Sequence, residues 1–136
     1  MRCIIPFQRI ETEHICCHLT INEQAGFFLI DTGASNSCVA KMRQELYQLT
    51  PKEKPTEAAG AGIEKLEAQK MEDALWKSLN GQLLGEFPVM LLDLESINTT
   101  LANQGAPAID GIIGADLLIE LKTVIDYKAM ELRLEL

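Results

Sequence analysis

Apolar and polar residues change period several times along the chain, and each change marks a change of element. Over residues 14–21 they alternate. Ile15, Cys17, Leu19 and Ile21 fall on one side and His14, Cys16, His18 and Thr20 on the other, the pattern of a strand with one face in a core. Asn22-Glu23-Gln24-Ala25-Gly26 reads as a turn, and Phe27-Phe28-Leu29-Ile30 is an unbroken apolar run suited to a strand buried on both faces. Together they make an antiparallel hairpin that delivers Asp31 at its exit. Residues 41–49 are good helix formers with Met42, Leu46 and Leu49 on one side, which predicts a short helix ending before Pro51. Residues 51–62, rich in Pro, Lys, Glu, Ala and Gly, read as an exposed loop or hairpin tip ending in Gly60-Ala61-Gly62. Residues 63–79 fit either a loose helical stripe or an extended strand. Because they run into Asn80-Gly81, a strong hairpin signal, and Phe87-Pro88-Val89-Met90-Leu91-Leu92 follows, two long antiparallel strands joined there are favoured. Ser96 is placed to cap a short helix over residues 96–101, and residues 105–108 turn the chain. Residues 123–127 and 130–134 form a closing hairpin around Lys128-Ala129. No repeat, linker or low-complexity tract divides residues 1–136, so one mostly β domain with one or two short helices is expected.

Composition narrows the class. The chain has 136 residues, 47% apolar and 24% charged, which is globular, and it is long enough to bury about two thirds of its unfolded surface without a disulfide or metal staple. No apolar run approaches the roughly 20 residues of a membrane span. Met1-Arg2-Cys3-Ile4-Ile5-Pro6 is too short and too soon interrupted for a signal peptide, so a soluble cytoplasmic protein is expected. Twelve basic against 20 acidic residues give a net charge of −8, which argues against nucleic acid and anionic membrane as partners. Of the four cysteines, Cys16 and Cys17 are adjacent and point to opposite faces of a strand, so they do not pair; free thiols in a reducing compartment are expected.

The chemistry concentrates at Asp31-Thr32-Gly33, followed by Ala34-Ser35. Alone, an Asp that ends a strand with a Gly in the turn needs no function. About 80 residues later comes Ile109-Asp110-Gly111-Ile112-Ile113-Gly114-Ala115-Asp116-Leu117-Leu118, two apolar residues and a Gly leading into a helix-competent stretch. In this order and spacing the two segments resemble the paired signature of retropepsin-like aspartic proteases, in their bacterial, non-viral form. Val124-Ile125-Asp126-Tyr127 and the strand after it resemble that family's closing segment, so the likeness spans roughly residues 13–136.

The resemblance implies a single-lobe acid-protease fold, a closed β-barrel in which Gly111-Ile112-Ile113-Gly114 threads beside the catalytic loop, glycine permitting the close approach. It implies Asp31 as the catalytic carboxylate and Thr32 as the hydroxyl that locks the loop from below. Gly33 lets backbone and substrate come close. Ser35 either hydrogen-bonds the carboxylate from outside or is an ordinary turn serine. Gly60-Ala61-Gly62 is the candidate flap over a substrate, or a plain flexible loop; it lacks the spacing and flanking elements of a phosphate loop. None of Asp73, Asp93, Asp110, Asp116 and Asp126 is followed by Thr or Ser and then Gly, so one chain carries half of a dyad. A homodimer with one Asp31 from each subunit on a twofold axis is therefore expected. Two such carboxylates cannot both ionise and share a proton, so one acts as base and the other as acid on a water attacking a peptide bond. Such an enzyme cuts a peptide or protein substrate with no metal and no other cofactor. The same fold could instead serve as a dimerising peptide-binding or scaffolding module with little turnover.

Two other features have simpler explanations. His14-x-Cys16-Cys17-His18 invites a zinc site, but on a strand His14 and His18 lie about 13 Å apart at 3.3 Å per residue. That is too far to share an ion with bonds near 2 Å, so no metal is expected. Cys38 reads as a small buried apolar residue rather than a nucleophile, and Trp76 as packing.

Overall fold

The computed structural model describes residues 1–51 and 69–136. In chain order the elements are β1 (Arg2–Pro6), β2 (Gln8–Arg9), β3 (Ile15–Ile21), β4 (Gln24–Ile30), β5 (Cys38–Ala40), a 3-10 turn (Lys41–Arg43), β6 (Gln69–Met71), β7 (Leu75–Lys77), β8 (Leu83–Glu86) and β9 (Val89–Leu92). Then follow α1 (Glu95–Asn103), β10 (Gly111–Ile113), α2 (Ala115–Glu120), β11 (Val124–Asp126) and β12 (Glu131–Glu135). The larger sheet runs β6-β9-β5-β10-β4-β3-β7-β8, with β2 also on β3; a smaller antiparallel sheet runs β1-β12-β11. The fold is mostly β with two short α-helices, as the hydrophobic pattern predicts. Among the described residues the large sheet stays open between β6 and β8, a curled half-barrel.

The alternating segment becomes β3, whose Ile15, Cys17, Leu19 and Ile21 enter the main core with Phe28, Val39, Trp76 and Ile113. Its other side is not wholly polar. Cys16 is 0% exposed in a second cluster with Leu29, Cys38 and Ala40, covered by Leu94 and Leu101 of the α1 region and by Ile109. Apolar layers on both faces explain why Phe28, Leu29 and Ile30 are all buried. The β3–β4 turn is tighter than the five residues expected, because Ile21 pairs with Gln24 and leaves only Asn22 and Glu23 in the loop. Both have positive φ, 50° and 74°, the twist that suits a two-residue hairpin. Asn22 is fastened there: its Oδ1 accepts from Leu75 N at 2.9 Å and its Nδ2 donates to the Tyr47 carbonyl at 2.7 Å.

The expected helix at 41–49 is only a 3-10 turn followed by irregular turns. Met42 and Leu46 are exposed, whereas Tyr47 and Leu49 are buried, with the Tyr47 hydroxyl donating to the Ala25 carbonyl at 3.2 Å. Gly60-Ala61-Gly62 and residues 63–68 lie outside the described residues. From 69 onward the chain is extended, and β7 and β8 form the hairpin at Asn80-Gly81, with Gly81 at φ +92°. The strands are shorter than expected because Pro88 has no N–H for the ladder; beyond it β9 leaves β7 and pairs with β6 and β5 instead. Helix α1 starts at Glu95 rather than after Ser96. Asp93 Oδ1 accepts from Glu95 N at 2.9 Å, and Leu94 is turned into the core.

The closing hairpin forms as expected, β11 on β12. Asp126 Oδ1 takes the Lys128 and Ala129 amides at 2.9 Å, and Oδ2 takes Arg133 Nη1 at 2.7 Å. The Arg133 guanidinium, with those amides, holds the Asp126 carboxyl below its ordinary value. β1 lies along the other edge of β12, so residues 2–6 pair within their own chain. Among the described residues no helix is long and apolar enough to cross a membrane.

Candidate active site

Asp31 leaves β4 at the point where a strand from the far end of the sequence arrives. β10 inserts between β4, to which it is parallel, and β5, to which it is antiparallel; Gly111 lies opposite Phe28 and Val39, and Ile112 opposite Leu29 and Cys38. The crossing is too tight for a side chain at either end. A Cβ on Gly111 would strike the Cys38 carbonyl and approach the Phe28 ring to 3.0 Å; one on Gly114 would come within 2.6 Å of the Ala34 carbonyl oxygen. Gly114 has ordinary extended backbone, φ −101° and ψ −172°, so space and not conformation demands glycine there.

The loop is held by its backbone. Asp31 N donates to the Ile113 carbonyl at 2.9 Å, Ala34 N to the Asp31 carbonyl at 3.1 Å, and Ala115 N to the Ala34 carbonyl at 2.7 Å. Asp31 is half-buried, while Thr32, Gly33, Ser35 and Asn36 are exposed and Ala34 is intermediate. The donor to the Asp31 carboxylate is Gly33 N, at 2.9 Å to Oδ1; Ser35 stands exposed beyond it. Ile113 packs in the main core and Ile112 packs against the second cluster. The structure thus brings Asp31, Thr32, Gly33, Ala34 and Ser35 together with Gly111, Ile112, Ile113 and Gly114.

Most of the remaining aspartates join elements. Asp73 binds Thr50 N and Oγ1, Asp93 the Glu95 amide, and Asp126 the closing hairpin. Asp110 takes Phe27 N at 2.8 Å and Arg43 Nε at 2.9 Å, tying β4 and the 3-10 turn after β5 to the entry of β10. Asp116 takes Ser37 N and, at 2.7 Å, Ser37 Oγ. Among the described residues the Asp31 carboxylate accepts from one amide of its own loop, as Asp93 does from Glu95 N. Asp116 and Ser37 were not among the residues expected from sequence. The available signals were an acidic residue in the first turn after Gly114 and a serine directly before the apolar Cys38-Val39-Ala40.

The four cysteines are free and buried. Burial pushes the Cys38 thiol up to about 11, a backbone hydrogen bond from Ile112 opposing and the Asp116 charge adding; Cys17 is pushed up to about 12, mainly by burial. Cys38 is therefore a poor nucleophile beside the loop. At the start of β3, His14 Nδ1 pairs with Thr12 Oγ1 at 2.7 Å, and within it His18 packs against Phe27 with tilted rings, centroids 4.8 Å apart. Trp76 is fully buried against Phe28, ring centroids 5.2 Å apart.

None of the known protein-family models matches this sequence, and no curated protein matches it. Solved structures do. The retroviral protease-like domain of Ddi1 from Leishmania major superposes with a TM-score of 0.57 at 20% identity, covering 85% of this chain and 82% of that one. A retropepsin-like aspartic protease from Rickettsia conorii superposes at 0.53 with 18% identity, covering 98% and 88%. The fold is retropepsin-like. At these identities the likeness is one of architecture.

Proposed function

We propose that the protein is an aspartic endopeptidase, one domain per subunit, that works as a homodimer with one Asp31 from each subunit on the twofold axis. The observation that carries this reading is Asp31 itself. It sits at the exit of β4, pinned through its backbone to β10, and among the described residues its carboxylate accepts only the Gly33 amide of its own loop. The retropepsin-like fold and the printed names of the two structural neighbours, a retroviral protease-like domain and an aspartic protease, agree with it. Two Asp31 carboxylates brought within hydrogen-bond reach repel when both are charged, so the pair holds one proton between them. The ionised member draws a proton from a bound water, which attacks the peptide carbonyl. The protonated member donates to the developing oxyanion; the proton taken from water then passes to the amide nitrogen as the C–N bond breaks, and the oxyanion's proton returns to the dyad. Gly33 N–H, 2.9 Å from Oδ1, orients the carboxylate in its loop. Exposed Thr32 has a hydroxyl free to meet the partner's loop, and Ala34 and Ser35 form the rim. The substrate is a peptide or an unfolded segment of protein.

Asp31→Asn tests the reading, because it keeps shape and removes the charge. Cleavage of a mixed peptide library should vanish while sedimentation still shows a dimer. Persistent cleavage by Asp31→Asn would overturn the mechanism, and an active wild-type sample that sediments only as monomer would overturn the homodimer.

A further inference from the structure

The loop from Asp31 to Ser37 has little buried surface of its own, since Thr32, Gly33, Ser35 and Asn36 are exposed, and so its shape is imposed from outside. Three of its fastenings are backbone to backbone, Asp31 N to Ile113 O, Ala115 N to Ala34 O and Met90 N to Ser37 O, and depend on no particular side chain. The fourth is built from side chains. Ser37, 0% exposed, donates its N–H at 3.0 Å to both Asp116 oxygens and its hydroxyl at 2.7 Å to Oδ1. The same hydroxyl accepts Gly114 N at 2.9 Å, and Asp116 Oδ1 also takes Leu117 N at 2.8 Å. Gly114, Ser37 and Asp116 thus close a circuit that joins the downstream leg of the loop to the exit of β10, with a carboxylate as the shared acceptor. We propose that Asp116 and Ser37 are positioning residues for Asp31, setting the loop's geometry without touching substrate; the inference rests on the aspartic-protease reading above.

Asp110 supplies an internal comparison. It uses the same kind of bonds, to Phe27 N and Arg43 Nε, but at the entry of β10. Three residues of strand, about 10 Å at 3.3 Å per residue, separate it from Ile113, the residue that holds Asp31 N. An aspartate that merely stabilised the sheet would be interchangeable with it in effect. One that positions the loop would not.

The comparison is Asp116→Asn and Ser37→Ala against Asp110→Asn, in the full chain and at matched fraction folded. Asparagine turns one acceptor into a donor facing Ser37 N–H. For a displacement of order 1 Å, kcat should fall by about 10²-fold in Asp116→Asn with KM little changed. Asp110→Asn should keep kcat close to wild type, and Ser37→Thr, which retains the hydroxyl, should recover most of what Ser37→Ala loses. Hydrogen exchange at the Gly33 and Ala34 amides should accelerate in Asp116→Asn and Ser37→Ala only. Equal kcat losses in the Asp116 and Asp110 variants, or unchanged exchange at Gly33 and Ala34, would overturn the proposal. Should Asp116→Asn not fold, Ser37→Ala carries the same comparison. If wild-type turnover survives Asp31→Asn, the protease reading fails separately, and the exchange data still decide whether Asp116 shapes the loop.

Discussion

Replacing Gly114 by alanine isolates the packing on which the Asp31 loop rests. With φ −101° and ψ −172°, the position accepts alanine without backbone strain. On conformation alone the change would stabilise by roughly 0.4–1 kcal/mol, through the unfolded chain. Space decides otherwise. The new Cβ would stand 2.6 Å from the Ala34 oxygen and 3.0 Å from Asn36 C and O, backbone atoms that cannot rotate aside. Reaching the 3.4 Å of ordinary contact moves the loop from the exit of β10 by about 0.8 Å. That movement would stretch the 2.7 Å bond from Ala115 N to the Ala34 carbonyl beyond useful length. Overpacking of this kind costs about 1–3 kcal/mol, and a lost backbone bond about 1 more. After the entropic gain, a net loss of about 1–3 kcal/mol remains. Urea unfolding followed by the emission of fully buried Trp76 measures it. With a slope of about 1–3 kcal/mol per molar, the midpoint should drop by roughly 1 M. Turnover should fall as well, because the shifted segment carries Asp31. A variant with an unchanged or higher midpoint and full activity would refute the claim that β10 and the loop are in obligatory contact.

Further outcomes are expected. Asp110→Ala strands the Phe27 amide and frees Arg43, and should lower stability by about 1–3 kcal/mol in the same urea assay. The buried thiols, with Cys16 and Cys38 raised to about 11 and Cys17 to about 12, should resist an aromatic disulfide reagent in the native protein and react on unfolding; rapid native labelling of three thiols would contradict their burial. Asp126 has a lowered folded pKa, so its contribution is fully present above the ordinary carboxylate value and is lost as pH falls through the lowered one. The β11–β12 amides should therefore gain exchange at strongly acid pH in wild type, and Arg133→Met should move that onset upward. In the proposed homodimer each subunit would carry −8, so mild acid should promote both association and the shared proton of the proposed dyad, and an activity maximum in alkali would contradict it.

The parts of this fold legible in the sequence are those whose cause is local. Alternation in β3 follows from a sheet with one face on the main core, and the run from Phe27 to Ile30 from a strand covered on both sides, so the hairpin and its delivery of Asp31 could be read directly. The two-glycine frame of β10 was legible through the family resemblance, and its physical reason is that a crossing strand has no room for side chains at its ends. Long-range causes left no such trace. Cys16 is buried because α1, some 80 residues on, covers the second face. Tyr47 replaces Met42 and Leu46 in the core because a single 3-10 turn sets up no helical stripe. The Ser37–Asp116 bonds join residues 79 apart, and no spacing within either segment announces the other.

The arrival of β10 between β4 and β5 also orders events in time. Phe27 and Asp110, which meet where it enters, are 83 residues apart. Such contacts form late, because the chain between them must be gathered first. A chain growing from its N-terminus makes Asp31 early but can shape its loop only after Gly114 and Asp116 have been added. A fragment ending before Gly111 would contain the carboxylate and none of the strand that holds it. On the protease reading, completion of the sheet and competence of Asp31 would be one step, leaving partly made chains inert.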